Sequence, residues 1–271
     1  MAETPTSHAQ NADPQWTGWH TVSLVTILAI MVLAGLLFPA RHRLGTWVLI
    51  LLLLAAFAAI AGQGITGLWS GLLIDERNKI SLSRLQMTLW SIVVLSGVLT
   101  AALSNVASGQ PNPLGIAVPS ELWLLMGIST TSLVASPLIE STKKGVEPSG
   151  EEKNHTFALL AKQMRAENIQ DTVTNRGQLV INVQPESAQW SDMFRGEEIG
   201  NAAHLDLGKI QLFYFTVVLV LAYAVALGTA FAGSAARIGE FPALDSGIVA
   251  LLGISHAGYL THKAIPHSES A

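Results

Sequence analysis

The chain has 271 residues, of which half are hydrophobic and only 13% are charged, against roughly 25% in ordinary globular domains. Its net charge of −4 makes nucleic acid an unexpected partner, because nucleic-acid-binding domains carry basic patches. The absence of cysteine excludes disulfides, thiolate metal sites and thiol nucleophiles.

Residues 1–20 form a polar N-terminal tail without Lys or Arg, so they lack the charged start of a secretory signal peptide. Trp16 and Trp19 are typical of side chains that anchor a chain at the membrane interface. A membrane-spanning helix needs about 20 apolar residues, and residues 21–40 provide the first such stretch.

Glycines interrupt the second apolar stretch, residues 46–74, which is too long for one straight span. They predict a break, after which residues 65–74 lie near the interface or against a neighbouring helix, so that residues 21–74 hold two transmembrane helices. Residues 62–67 match the dinucleotide-binding pattern G-x-G-x-x-G, but they end a membrane helix instead of following a strand. We favour helix breaking, or close packing through Gly67 and Gly71.

Four further spans are predicted, at residues 85–104, 122–138, 210–231 and 246–262. The resulting domains are a transmembrane hairpin at 82–138, a soluble insert at 141–208, a second hairpin at 209–262 and a C-terminal tail at 263–271. We therefore expect an all-α membrane protein with about six transmembrane helices and a small α+β soluble insert.

The insert carries half of the chain's charges, with seven Lys/Arg and ten Asp/Glu between Ser141 and Gly208. Residues 156–169 have helical spacing, and residues 178–183 are typical of a short strand. A small aromatic core is expected from Trp190, Met193 and Phe194. Three acidic residues could bind a divalent ion, but we favour a solvated acidic face for Asp192, Glu197 and Glu198.

Loop charges predict the orientation, because Lys and Arg collect on the cytoplasmic side. With the N-terminus inside, the inner side holds Arg77, Lys79, Arg84, Lys143, Lys144, Lys209 and Lys263. The outer side holds only Arg41, Arg43 and Arg237. Both termini and the insert are therefore expected in the cytoplasm.

An internal duplication appears when the sequence is shifted by 125 residues. Residues 82–87 then fall on residues 207–212, with a basic residue two positions before a glutamine in both copies. One residue out of phase, 125–129 falls on 251–255, and both contain Gly-Ile-Ser. The match predicts two tandem hairpins of the same orientation, which form a parallel repeat.

The motif of this repeat is Ser81-Leu82-Ser83-Arg84-Leu85-Gln86-Met87 with Trp90, followed by Leu125-Met126-Gly127-Ile128-Ser129. It resembles a two-helix module of uncharacterised bacterial multi-pass membrane proteins. That family has no assigned activity, so the resemblance implies a bacterial inner-membrane protein and transfers no site residues.

Gln86 and Gln211 occupy equivalent positions at the starts of two spans. They could form a paired binding site, but we favour capping, since Ser83-x-x-Gln86 has the spacing of a capping box. Gly208 and Gln211 repeat this spacing, or Asp206 serves as the cap instead. The neighbouring Arg84 and Lys209 would then extend to the lipid headgroups.

Polar residues near the bilayer midplane are the best candidate site. His256 lies ten residues into its span, or ~15 Å at ~1.5 Å per residue. An ionisable residue at that depth is a functional candidate, although we favour a neutral imidazole hydrogen-bonded between helices. The other members are Ser129, Thr130, Thr131, Ser132 and Ser255.

Two functions remain compatible with these residues. The first is a non-enzymatic, self-associating membrane anchor or scaffold, whose insert at 141–208 docks a cytoplasmic protein. The second is an oligomeric channel or transporter whose path is lined by the midplane Ser, Thr and His groups. We favour the anchor, because conducting paths usually contain rings of charge or exposed carbonyls. No catalytic residue, cofactor or metal is expected.

The orientation can be tested by placing single cysteines at Ser108, Ser149 and Ser268 in the naturally cysteine-free chain. A membrane-impermeant thiol reagent added to intact cells should label position 108 and spare the other two, which become labelled after lysis. Labelling of position 149 in intact cells would reverse the orientation.

Overall fold

The computed structural model describes residues 16–38 and 42–271 of the chain. Its helices are α1 (Gly18–Leu37), α2 (Arg43–Thr66), α3 (Leu82–Ala107), α4 (Ser120–Lys143), α5 (Gly150–Met164), α6 (Leu207–Ala232) and α7 (Ser246–Ala264). Two strands, β1 (Val173–Arg176) and β2 (Leu179–Asn182), lie between α5 and α6. The expectations for residues 1–15 and for Arg41 fall outside the described residues.

Five helices are long and apolar enough to cross a membrane, namely α1, α2, α3, α4 and α6. The chain is therefore a mostly helical, multi-pass membrane protein. The helices extend beyond the predicted apolar stretches because their polar first or last turns also stay helical, as at both ends of α3. The sixth predicted span, α7, has 19 residues and is not among the five, so it stays a prediction.

One face of α6 is exposed and apolar, with Tyr214, Val218, Leu221 and Val225 spaced by three or four residues. This spacing places the four side chains on the same side of the helix. Such a stripe suits contact with lipid tails, whereas the opposite face of α6 packs into the protein core.

Contacts between the helices give their relative directions. Trp90, in the first half of α3, packs on Tyr223 of α6 with 6.0 Å between ring centroids. Asn105, in the last turn of α3, donates to the carbonyl oxygen of Ile238, which follows the C-terminal end of α6. Thus α3 and α6 run the same way, as do α4 and α7, in which Ser132 contacts His256 and Ser136 contacts Tyr259. These directions are those that a parallel repeat requires, but the duplication itself stays a prediction.

The break in the second apolar stretch comes later than predicted. Helix α2 continues through Gly62 and Gly64 and ends at Gly67, whose φ of 74° favours glycine. The chain then folds back so closely that a Cβ on Gly71 would lie 2.6 Å from the carbonyl oxygen of Gly62. Gly67 therefore ends the helix and Gly71 permits the close packing.

The soluble insert has its own small core. Helix α5 spans Gly150–Met164, earlier than the predicted 156–169, and has acidic residues in its first turn and Lys162 in its last, as the helix dipole favours. The predicted strand appears as β2, and it pairs antiparallel with β1, which the sequence did not predict. The core consists of Phe157, Leu160, Val173, Val180, Ile199 and Ala202.

The prediction of an aromatic core within the insert is wrong. Met193 is buried in the main core of the helical bundle, and Phe194 packs edge-on against Phe213 of α6 with 5.1 Å between centroids. Trp190 is 58% exposed. These residues join the insert to the bundle, because α6 begins beside the segment that carries them.

Candidate functional site

Ten ionisable side chains meet where the insert touches the helix ends. Of these ten residues, four lie at the ends of α4, α6 and α7, three lie in the segment before α3, and three lie in the insert. The cations are Arg77, Lys79, Lys143, Lys209 and Lys263, and the anions are Asp75, Glu140, Asp192, Glu197 and Glu198. We call this set the charge network; its formal charges sum to zero.

Glu197 of the insert is the centre of the network. Its carboxylate oxygens lie 2.8 Å from Lys209 Nζ, 2.7 Å from Lys263 Nζ and 3.4 Å from Arg77 Nη2. Lys263 and Arg77 also bind Glu140 at the end of α4, at 2.6 Å and 3.4 Å. One insert residue is therefore tied to α6, α7 and, through two shared cations, to α4.

The neighbouring Glu198 fixes the insert to the chain beyond α7. Its carboxylate lies 2.5 Å from Lys143 Nζ and accepts a hydrogen bond from the backbone of His267 at 2.8 Å. Lys143 also donates to the carbonyl oxygen of Ile265 at 3.0 Å. These bonds hold the C-terminal tail across the insert.

Burial and ion pairing act in opposite directions on these groups. Burial alone would raise the pKa of Glu197, but the attraction of Arg77, Lys209 and Lys263 outweighs it and holds that pKa well below its ordinary value. Burial likewise opposes the charge on Arg77, yet Asp75, Glu197 and Glu140 raise its pKa. Ion pairing thus stabilises the charged forms of Glu197 and Arg77 despite their burial.

Lys79 is the weakly held member. Its ammonium is 3.7 Å from Asp192. Burial lowers the pKa of Lys79 to about 8, because the attraction of Asp192 offsets only part of the desolvation.

Two sequence interpretations fail at the charge network. Glu197 and Glu198 are buried, at 9% and 2% exposure, and do not form a solvated acidic face. Lys209 is also buried and binds Glu197 and the carbonyl oxygen of Arg195, so it does not extend to the headgroups. In the described part of the chain, no group of His, Asp and Glu has the arrangement of a metal site.

A second, uncharged polar cluster lies inside the bundle. Gln86 Nε2 donates to Thr216 Oγ1 at 2.9 Å and lies 2.6 Å from His256 Nε2. Ser132 Oγ is 2.5 Å from His256 Nδ1. If Gln86 donates to Nε2, the histidine proton lies on Nδ1 and points to Ser132. The imidazole joins α7 to α3 and α4, and Gln86 extends the cluster to α6.

The capping interpretation of Gln86 is therefore wrong. Helix α3 begins at Leu82 with Ser81 as its N-cap, and no side chain caps it. Gln211 is exposed, so the two glutamines do not meet in one chain. Asp206 caps α6 instead, accepting from the backbone of Lys209 at 3.1 Å, as the alternative had predicted.

The other predicted midplane residues are divided between two environments. Ser129, like Ser132, is fully buried, whereas Ser255 is half-buried. Thr130 and Thr131 are exposed, and their hydroxyls donate to carbonyl oxygens one turn earlier in α4. Only the buried serines can contribute to an internal site.

Between the two clusters runs a row of neutral polar groups. Lys263 Nζ and Ser136 Oγ each lie 3.5 Å from Tyr259 OH, and Ser132 with His256 is one turn further along α4 and α7. In the described residues, five buried side-chain atoms lack a hydrogen-bond partner: Ser83 Oγ, Gln86 Oε1, Trp90 Nε1, Ser129 Oγ and Tyr223 OH. Each costs about 1–3 kcal/mol unless a partner reaches it.

Comparison with family models, with curated proteins and with solved structures finds no match to this chain. The interpretation of the site therefore depends on its own geometry.

Replacing Glu197 with Gln should destabilise the protein by about 3–5 kcal/mol, because three buried cations lose a shared counter-charge. Since the folded-state pKa of Glu197 is depressed, its contribution is present above about pH 4.5 and is lost as the pH falls below that value. Thermal unfolding should be measured between pH 3 and 7. The matched control is the exposed Glu167→Gln, and equal melting temperatures for both variants would contradict the role of the network.

Proposed function

We propose that this protein is a non-enzymatic anchor or scaffold of the bacterial inner membrane that holds its insert in a fixed orientation for a cytoplasmic partner. The observation that carries the proposal is the charge network. An insert joined only by its two chain connections could rotate, whereas here Glu197 and Glu198 bind the ends of three helices. A fixed orientation suits the presentation of a binding surface.

The outer face of α5 is the surface that the insert offers. His155, Lys162 and Gln163 are exposed on it, whereas Phe157 and Leu160 face the insert core. Its polar and charged groups favour a soluble protein partner over a lipid surface.

We further propose that α7 is the sixth span and that both hairpins form a parallel repeat that self-associates. Helix α7 packs against α4 and α6, which are both candidate spans. The loop charges that favour a cytoplasmic insert gain weight when Arg43 is removed from the count for the outer side. This residue is one of the few basic residues at the opposite end, but it is buried and bound to Ser104 and to the carbonyl oxygen of Ala236, so it carries little weight as a loop charge.

Site-specific photo-crosslinking in living cells tests the scaffold. A photoreactive residue at position 155 or 162 should give one protein adduct of constant mass, because the partner contacts a fixed face. The same residue at the lipid-facing position 221 serves as the control for random collision. An insert that gives no adduct, or the same adducts as position 221, would contradict the proposal.

A second candidate, a path across the membrane, is favoured by the row of buried polar groups. The row extends from Lys263 to Gln86, and several of its neighbours have unsatisfied polar atoms that water or a substrate could bind. The path would need either oligomerisation or movement of α4 against α7, because Ser132 and His256 are in direct contact.

His256→Phe separates the two candidates. In a scaffold, the variant loses its bonds to Gln86 and Ser132, and the melting temperature falls by the equivalent of about 1 kcal/mol. If the protein is a scaffold, liposomes that contain the wild-type protein show no ion flux. In a path, wild-type flux is present and the variant abolishes it. Thr130→Val, at a similar depth but exposed and bonded within its own helix, is the control. We expect the scaffold result.

A further inference from the structure

A cavity of about 340 Å³ opens beside the start of α3. It lies between the first turns of α3, the last turns of α4 and the segment that precedes α3. Its lining combines polar and apolar groups, among them Leu72, Glu76, Ser83, Arg84, Met87 and Pro137. Because α3 and α4 are candidate spans and the charge network is adjacent, the cavity lies at the level where lipid headgroups meet the bundle.

One side of the cavity is suited to an anion. Helix α3 lacks a side-chain cap, so backbone N–H groups of its first turn are available. Ser83 Oγ has no partner, and the residue is only 2% exposed. Arg84 is half-buried, and in the described part of the chain it donates one long hydrogen bond, 3.5 Å, to Leu72. These groups together match a phosphate.

The other side is suited to a cation. The Glu76 side chain is 66% exposed and lies 3.2 Å from Lys144, a surface pair that exchanges easily. The remaining carboxylates in the lining, Asp75 and Glu140, are already bound by Arg77 and Lys263. Glu76 is therefore the carboxylate that can bind a ligand.

The wall that faces the bilayer is apolar. It is formed by Leu72, Met87, Leu133 and Pro137. This wall suits the first methylene groups of lipid acyl chains.

We propose that the cavity binds a zwitterionic phospholipid with a primary amine, that is, a phosphoethanolamine headgroup. The phosphate binds Arg84, Ser83 and the first turn of α3. The ammonium group binds Glu76, and the start of the acyl chains lies along Met87 and Pro137. The two signs of charge in one cavity distinguish this ligand from a purely anionic lipid.

Native mass spectrometry of the full-length protein tests the site. The probes are phosphatidylethanolamine, phosphatidylglycerol and the soluble glycerophosphoethanolamine. The wild type should retain phosphatidylethanolamine about tenfold better than phosphatidylglycerol, the effect of one charge-assisted hydrogen bond. Arg84→Gln should weaken the binding of both lipids, and Glu76→Gln should remove only the preference.

The exposed Arg176→Gln on the insert is the matched control and should bind as the wild type does. Equal retention of both lipids by the wild type would overturn the proposal, as would a preference for phosphatidylglycerol. If glycerophosphoethanolamine bound as tightly as phosphatidylethanolamine, the ligand would be a soluble molecule and not a lipid. That result would also overturn the proposal. Because Glu76 is on the surface, its variant tests the site even if Arg84→Gln fails to fold.

Discussion

The burial of charge in exact balance is the constraint on which the rest of the structure depends. Each member of the charge network would be costly to bury alone, and removing one leaves its partners uncompensated. Glu197 can be buried only because Lys209, Lys263 and Arg77 surround it. Lys209 and Lys263 come from separate helices and Arg77 from the segment before α3, so the network also fixes where the helix ends lie relative to the insert.

Polarity inside the bundle changes with distance from the insert. At one end of the bundle, full charges are buried where the insert covers the helix ends, as in the pair of Lys263 and Glu140. At the opposite end, the guanidinium of Arg43 is buried against Ser104. Further in, the groups are neutral and hydrogen-bonded, and His256 joins Gln86 to Ser132. This order follows from electrostatics, because a neutral polar group in an apolar medium is far less costly than an ion. The insert thus covers charged groups whose exposure to the apolar bilayer would be costly in free energy.

The sequence predicted what depends on local composition. Apolar length predicted the five helices that are long and apolar enough to cross a membrane, and the acidic residue Asp206 was recognised as an alternative cap. It could not predict the role of Gln86, because a local capping pattern is overridden by partners in α6 and α7 that are more than a hundred residues away. The charge network was missed for the same reason, although the basic ends of several spans and an acidic pair on one side were a usable signal. Strand β1 was missed because Thr174, Asn175 and Arg176 lack an apolar alternation.

The most direct measurement of the central claim is the distance distribution between the insert and the bundle. Spin labels on cysteines at Lys162 and Leu221, both exposed, place one probe on α5 and one on α6 in the cysteine-free chain. In lipid nanodiscs at pH 7, double electron–electron resonance should give a single distribution no broader than the label linkers allow. A broad or multimodal distribution would contradict an insert that is held rigidly by buried ion pairs.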